Sequence, residues 1–307
     1  MPVELKMRPN DKPISWEEFT ETKPNFSIAI DGYVAERPRL NTKGPYANFN
    51  HHEGVSRLET RATCAQIHLL IRLGLFRLFR NENGPMAHVW TNDCDEDVCL
   101  SWYLLSHNFI AESMINPCLN RLVDVAEIMD TTAGMYPLSV DVPIQRQLAW
   151  VMEPYRRFRF GGAIDLRDAD SFINVVTDVC TRIEKHIIGD GKDLPLDTRY
   201  KIIGGGQGWS LIEEIGNQGR QGAFSDGIRA FVSARERDDG KWSYSIGRAS
   251  ECIPFDVLRV IDRLNKEECV NDTWGGSSTI GGSPRITGSS LSPDKLIRII
   301  NDELKKD

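Results

Sequence analysis

Several familiar signatures are missing from these 307 residues, and each absence removes a class of function. No run of about 18 apolar residues occurs, which excludes a spanning helix. The opening stretch MPVELKMRPNDKPISWEEF is polar and carries proline and acids, so it lacks the apolar core of a secretion signal. Cysteine is sparse and unpatterned. Seven are present (Cys64, Cys94, Cys99, Cys118, Cys180, Cys252 and Cys269), an odd number with no C-x-x-C pair. That pattern argues against a disulfide framework or a zinc ribbon and for reduced thiols in a cytoplasmic protein. A net charge of −7 argues against a broad basic face for long duplex DNA. There are no internal repeats. The GGGQG stretch at 204–208 lacks the G-K-[ST] of a phosphate-cradling loop, because Gln207, Gly208 and Trp209 stand in those places. What remains is a globular chain with 40% apolar and 26% charged residues, long enough for one large or two medium domains. A small or short anionic substrate held by a metal and a few arginines stays open.

Residues 1–25 read as an irregular lead-in. Residues 26–30 (FSIAI) form a short buried-strand pattern ending at Asp31-Gly32. Residues 33–46 are loop-like, and a second strand near 47–49 runs into Asn50-His51-His52-Glu53. The spacing of Leu58, Ala62, Ala65, Leu69 and Leu73 predicts a helix over 58–79, with Gly74 as a stop or bend. A strand at 86–91 precedes an acidic cluster that opens a helix to about His107. Helices follow at about 119–130 and 168–187. The polar stretch GDGKDLPLDT reads as a linker at 189–199, separating residues 1–188 from 200–307. Beyond it come a strand at 200–203, a hairpin of 228–234 and 242–246 around Asp238-Asp239-Gly240, and a helix over 255–264. A last helix has Ser292 as N-cap and Pro293 at its first position. The expected fold is α/β. A largely parallel sheet flanked by helices forms the first domain, a smaller α+β domain follows, and the active-site cleft lies between them.

The chemistry concentrates in HVWTNDCDEDVCLSW, residues 88–102, where Asp93, Asp95 and Asp97 alternate. Carboxylates this crowded repel one another unless a cation sits among them. A calcium loop is excluded, since Val98 stands where glycine is needed and Leu104 where the bidentate glutamate is needed. A solvated acidic turn and a metal site at a strand-to-helix corner remain. Asp31 ends one apolar run, His51-His52 another, and Asp130-Thr131-Thr132-Ala133-Gly134 a third. In a strand the two histidines diverge, so both face one site only if the chain turns there. Oxygen ligands with an imidazole or two suit Mn²⁺ or Mg²⁺. The glycine-rich loop at 274–290 can present backbone N–H groups to an anion, and Arg285 can hold phosphate bidentately. Residues 155–160 alternate arginine with aromatics and read as an edge strand that could also stack bases.

These residues resemble the DHH phosphoesterase superfamily. HVWTNDCDEDVCLSWYLL is similar to its D-x-D-x-D motif, with Asp93, Asp95, Asp97 and Ser101 in place. FNHHEGVSRLETRATCAQI is similar to the Asp-His-His motif, with Asn50 standing for the aspartate. Asp31 resembles the lone aspartate of the second motif, and EIMDTTAG the fourth, at Asp130. AFVSARERDDGKWSYSIGRAS and WGGSSTIGGSPRITGSS resemble the associated C-terminal domain, with Arg248 and Ser250 at its Arg-Ser pair. The usual histidine of its glycine-rich loop is missing. Here the His-His motif precedes D-x-D-x-D, the reverse of the family's order. The resemblance spans roughly residues 26–137 and 224–304.

The resemblance implies a cytoplasmic Mn²⁺-dependent phosphoesterase (Mg²⁺ the alternative) with one or two ions among Asp31, His51, Asp95, Asp97 and Asp130. His52 and Asp93 are the expected catalytic groups, Asp93 as a ligand or as an acceptor behind the ligands. Arg248, Ser250, Gly281, Gly282 and Arg285 are expected to bind substrate, a nucleotide or short single-stranded oligonucleotide. Neither a membrane nor long duplex nucleic acid is expected as partner, and an oligomer is left open. The alternatives are a pyrophosphate or polyphosphate hydrolase and a catalytically silent nucleotide sensor.

Overall fold

The structure is a computed structural model, and it describes residues 3–113, 116–136, 139, 142–268 and 271–305. Two compact units emerge, residues 1–131 with 143–195 and residues 132–142 with 196–307. Both mix helices with strands, and twelve α-helices are present among the described residues. Among the same residues no helix is long and apolar enough to cross a membrane.

In chain order the first unit holds β1 (Val3–Met7), α1 (Trp16–Thr22), β2 (Ser27–Ile30), β3 (Arg39–Asn41) and β4 (Tyr46–Phe49). Next come α2 (Thr63–Arg72), α3 (Leu75–Leu78), the small ladder of β5 (Arg80–Asn81) and β6 (Gly84–Pro85), and β7 (Ala87–Thr91). The rest is helical: α4 (Glu96–Ser106), α5 (Asn108–Glu112), α6 (Pro117–Thr131), α7 (Pro143–Val151), α8 (Glu153–Phe160), a 3₁₀ turn at Ala163–Leu166, and α9 (Ala169–Ile187). The sheet order is β1-β7-β2-β4-β3, with β3 the single antiparallel member. Its central strands are covered on both faces, and every residue of β2 and β4 is buried. That is the pattern of a parallel sheet covered on both sides. The connection leaving β2 leads to β4 on one side. The one leaving β4 returns across β2 to β7 on the other. Ligands of α/β sheets bind outside the carboxyl ends of the strands.

Four sequence expectations are corrected. Residues 1–25 are not irregular. Val3, Leu5 and Met7 alternate with Glu4 and Lys6 to make β1, and the Ser15 side chain caps α1 by accepting the Glu18 N–H at 3.2 Å. The helix expected over 58–79 begins only at Thr63, and Gly74 at φ 101° separates α2 from α3. The Arg-Phe alternation near 155–160 lies in α8, not in an edge strand, because Pro154 enters the first turn and Arg157 and Arg159 sit in the last. The strand expected at 200–203 runs on through Gly204, Gly205 and Gly206, and Gln207-Gly208 form the turn into the next strand. A Cβ at Gly204 would run into the Ile297 side chain, and one at Gly206 into Asn301.

The second unit carries β8 (Tyr200–Gly206), β9 (Trp209–Glu214), α10 (Gly219–Ser225), β10 (Ala230–Glu236), β11 (Trp242–Arg248) and α11 (Val257–Glu268). It continues with β12 (Gly275–Gly276), β13 (Ile280–Gly282) and α12 (Pro293–Leu304). Its sheet order is β12-β13-β11-β10-β9-β8, antiparallel except for the β9–β10 pair. The expected hairpin is β10–β11, and Ser292 caps α12 by accepting the Lys295 N–H. Trp209, Leu211, Val232, Ile246, Val260, Leu264, Leu296 and Ile300 build its core. Cys64, Cys94, Cys99, Cys118, Cys180 and Cys252 are free thiols, and Cys269 lies outside the described residues.

Candidate metal centre

The site forms at the carboxyl end of the parallel sheet. β2 ends at Ile30, opposite Phe49 of β4, and the Asp31 N–H donates to the Phe49 carbonyl at 2.9 Å. Asp31 then takes φ 49°, a left-handed conformation that aspartate tolerates better than most side chains. This bend keeps its carboxyl inside, 8% exposed, instead of following the strand outward.

β4 ends in a turn built by Asn50. Its Nδ2 donates to the carbonyls of Val34 at 3.2 Å and Glu36 at 3.0 Å and to Glu53 Oε2 at 2.6 Å. Its Oδ1 accepts the His52 N–H at 3.0 Å. The chain reverses over this side chain, so the adjacent histidines lie together with ring centroids 4.3 Å apart.

His51 is completely buried. Its Nε2 is 2.8 Å from Asp130 Oδ2 and 3.7 Å from both Asp31 Oδ1 and Asp97 Oδ2. Despite the short approach to Asp130, neither ring nitrogen has hydrogen-bond geometry to a partner, and Asp130 Oδ2 is likewise unsatisfied. His52 is more open, and its Nε2 hydrogen-bonds Asp31 Oδ1 at 2.8 Å. Ligand atoms of Asp31, His51 and His52 lie within 4.8 Å of one another, as do those of His51, Asp97 and Asp130.

The three alternating aspartates do different things. Asp93 Oδ1 accepts the N–H of Cys94 at 2.7 Å. Asp95 is the N-cap of α4 and accepts the Val98 N–H at 2.9 Å. Asp97 points across to α2, whose N-cap position, Ala62, has no side-chain acceptor of its own. Both Asp97 oxygens accept backbone N–H groups there, from Thr63 and Cys64, at 2.7 Å. Asp97 is brought to His51, whereas Asp93 and Asp95 belong to neither ligand-distance group. Ser101 is buried on α4 with its hydroxyl unpartnered.

Crowding shows in the acidities. Burial, with the nearby Asp31, Asp93 and Asp97 carboxylates, holds Asp95 well above the usual carboxylate range. Burial, Asp130 and Asp31 push Asp97 up to about 7. Asp93 is raised chiefly by burial. Asp130 goes the other way: burial pushes it up, but His51 and Arg57 outweigh that and hold it low. Burial opposes charging His52, yet its bond to Asp31 leaves it raised.

Sequence reasoning missed three contributors. Thr63 supplies a capped N–H and an Oγ1 3.5 Å from Asp31 Oδ1. Arg57 Nη2 donates to Asp130 Oδ1 at 3.0 Å, and Arg61 makes a two-pronged pair with Glu127 at 2.8 and 3.0 Å. The i, i+4 arginines were visible, but their acidic partners lie 66 and 73 residues away and carry no local signal.

The remaining anticipated residues lie in the second unit. β11 ends at Arg248, and β13 brings Gly281 and Gly282 opposite Ile246 and Ser245. Arg248 is 9% exposed and donates from Nε to Ser278 O and from Nη1 to Ile253 O, at 2.8 and 3.1 Å. The Ser250 hydroxyl accepts the Cys252 N–H at 3.3 Å. Gly281 packs so closely that a Cβ would meet the Gly275 carbonyl at 2.8 Å. Arg285 is exposed, and its carbonyl accepts from Arg237.

No protein-family model matches the chain, and no curated protein matches it. The site's own chemistry is therefore the ground for a functional reading. His51 belongs to one ligand-distance group with Asp31 and His52 and to another with Asp97 and the half-buried Asp130, and its orphaned Nε2 faces all three carboxylates. Such a set fits a divalent cation that accepts carboxylate and imidazole ligands.

Proposed function

We propose that this protein is a metal-dependent phosphoesterase that hydrolyses the phosphodiester of a nucleotide or short oligonucleotide, with Mn²⁺ as the preferred ion. The observation that supports it most is His51 Nε2, fully buried and without a hydrogen bond at the focus of three carboxylates. Asp31, His51, Asp97 and Asp130 would hold the cation. When bound, such an ion supplies Lewis-acid chemistry, polarising the phosphoryl group and making water easier to deprotonate.

The chain's own residues do the rest. Asp97 is fixed by two backbone N–H groups, so its position is set before any ion arrives. Asp31 holds His52 through Nε2, and that contact favours the charged imidazole. His52 thus holds its proton more firmly than a free imidazole, on the open side of the site. Its role is to donate that proton to the leaving oxygen.

The test uses purified protein with Mn²⁺, a chromogenic phosphodiester and, in parallel, pyrophosphate, against Asp31→Asn as control. Diester turnover above the control supports the reading. Turnover of pyrophosphate alone moves the substrate to a phosphoanhydride. Tight nucleotide binding with no turnover of either makes the protein a sensor, and the enzyme reading falls.

A further inference from the structure

Arg57 lies on the irregular segment between β4 and α2, with its side chain 26% exposed. Its Nη2 donates to Asp130 Oδ1 at 3.0 Å, while the other Asp130 oxygen faces His51 Nε2 at 2.8 Å. Its Nε is buried and has no hydrogen-bond partner. The segment does not depend on this contact for its anchorage. Arg61, four residues on, grips Glu127 of the same helix with two hydrogen bonds. Glu127 and Asp130 lie within the last turn of α6, so a paired anchor and a singly bonded guanidinium sit side by side.

A carboxylate that ligates a dication has less charge to offer a guanidinium, and the two cations repel at that separation. Arg57 is then released at the mouth of the site, with a planar fork whose geometry matches phosphoryl oxygens. We propose that Arg57 is the phosphoryl-binding residue of this site: it neutralises Asp130 in the ion-free state and turns to the non-bridging oxygens of the substrate once the ion is held. This inference rests on the metal reading of the cluster.

Two titrations test it. The first measures Mn²⁺ alone, by calorimetry, on wild type, Arg57→Gln and Arg61→Gln. The second measures the rise in Tm that inorganic phosphate causes in the Mn²⁺-loaded proteins. Arg57→Gln is expected to bind Mn²⁺ several-fold more tightly and to lose most of the phosphate-induced rise, with Arg57→Lys keeping part of it. Arg61→Gln should lower Tm yet keep the phosphate effect. If Arg57→Gln keeps the full phosphate effect, or binds Mn²⁺ more weakly than wild type, Arg57 is a strut for Asp130 and the proposal is overturned. Wild type that binds no Mn²⁺ overturns the underlying metal reading too, a result distinct from a wild type that binds and a variant that does not differ.

Discussion

The carboxylate of Asp97 holds the start of the helix that begins at Thr63: one oxygen accepts the Thr63 N–H and the other the Cys64 N–H, both at 2.7 Å. An acidic side chain on one helix thereby caps another, in place of the Ala62 that cannot. This ties the candidate metal centre to the packing of α2 against α4. It also means that the acid most central to the cluster is a structural part of the fold.

Asp97→Ala is therefore expected to be less stable than wild type, besides losing a ligand of the metal site. Two buried, charge-assisted hydrogen bonds are lost, at about 1.5–3 kcal/mol each. Relief of repulsion among the crowded acids offsets part of this, so the net loss in ion-free protein is about 1–3 kcal/mol. Urea denaturation in the presence of a chelator measures it. A variant within about 0.5 kcal/mol of wild type, the spread typical of neutral surface changes, would mean that the cap contributes nothing.

Metal binding separates the acids by position. Asp130→Asn and His51→Gln remove ligand atoms, and each should weaken Mn²⁺ binding by more than the roughly 10–100-fold typical of residues behind the ligands. Asp95→Asn should fall within that smaller range, because Asp95 is committed to the N–H of Val98. In wild type, Mn²⁺ at a hundred times its Kd should add about 2.7 kcal/mol of stability. Calorimetric titration and Tm under the two conditions check both claims. Equal losses for Asp95→Asn and Asp130→Asn would sink the ligand assignment.

The sequence carried much of this site, for a physical reason. Asp31 and His51 each follow an apolar strand, and a parallel sheet delivers the residues just past its strand ends to one edge, whereas Asp130 reaches His51 from the last turn of α6. The acidic cluster was harder to read. Alternating aspartates share a face in a strand, but here they enter a helix, where residues two apart differ by about 200° around the axis. Only one of Asp95 and Asp97 can then reach His51, and the phase selects Asp97. Asn50 shows the opposite limit. Its partners, Val34 and Glu36, come from a loop that carries no periodic pattern, so the turn it builds was invisible. β1 was overlooked because its alternation spans only five residues beside a proline-rich stretch.

Stability should fall on acidification through His68, a residue of α2 that is 8% exposed with Nε2 unpartnered. Burial, together with Arg72 and Arg61, pushes its pKa down to about 4. The unfolded chain titrates near 6.5, so between those values it binds a proton that the native state refuses. The native state therefore loses stability as pH falls from about 6.5 to about 4. Between pH 7.5 and pH 5 the loss is about 2 kcal/mol. His68→Leu should lack this component. The site carboxylates titrate in both proteins and cancel in the difference, so urea denaturation of the pair at the two pH values isolates it. Parallel curves would show that His68 does not titrate in this window.

Asn50→Asp restores the aspartate that the resembling Asp-His-His motif carries, and it should do harm here. The Asn50 amide donates to two carbonyls and to Glu53 Oε2 at 2.6 Å, and a carboxylate can donate to none of them. Two buried acceptors lose a donor, and two carboxylates meet at hydrogen-bond distance. The expected loss is about 2–4 kcal/mol, with no gain in Mn²⁺ affinity. If position 50 were instead a ligand position of this site, the aspartate would tighten Mn²⁺ binding and raise the Tm of the loaded protein. Adding Glu53→Gln separates the causes. A glutamine can donate to the carboxylate introduced at position 50, so the double variant should recover the part of the loss due to carboxylate repulsion, while the two orphaned carbonyls keep the rest. A double variant no more stable than Asn50→Asp would mean that the Asn50–Glu53 contact does not organise the turn that brings His51 and His52 together.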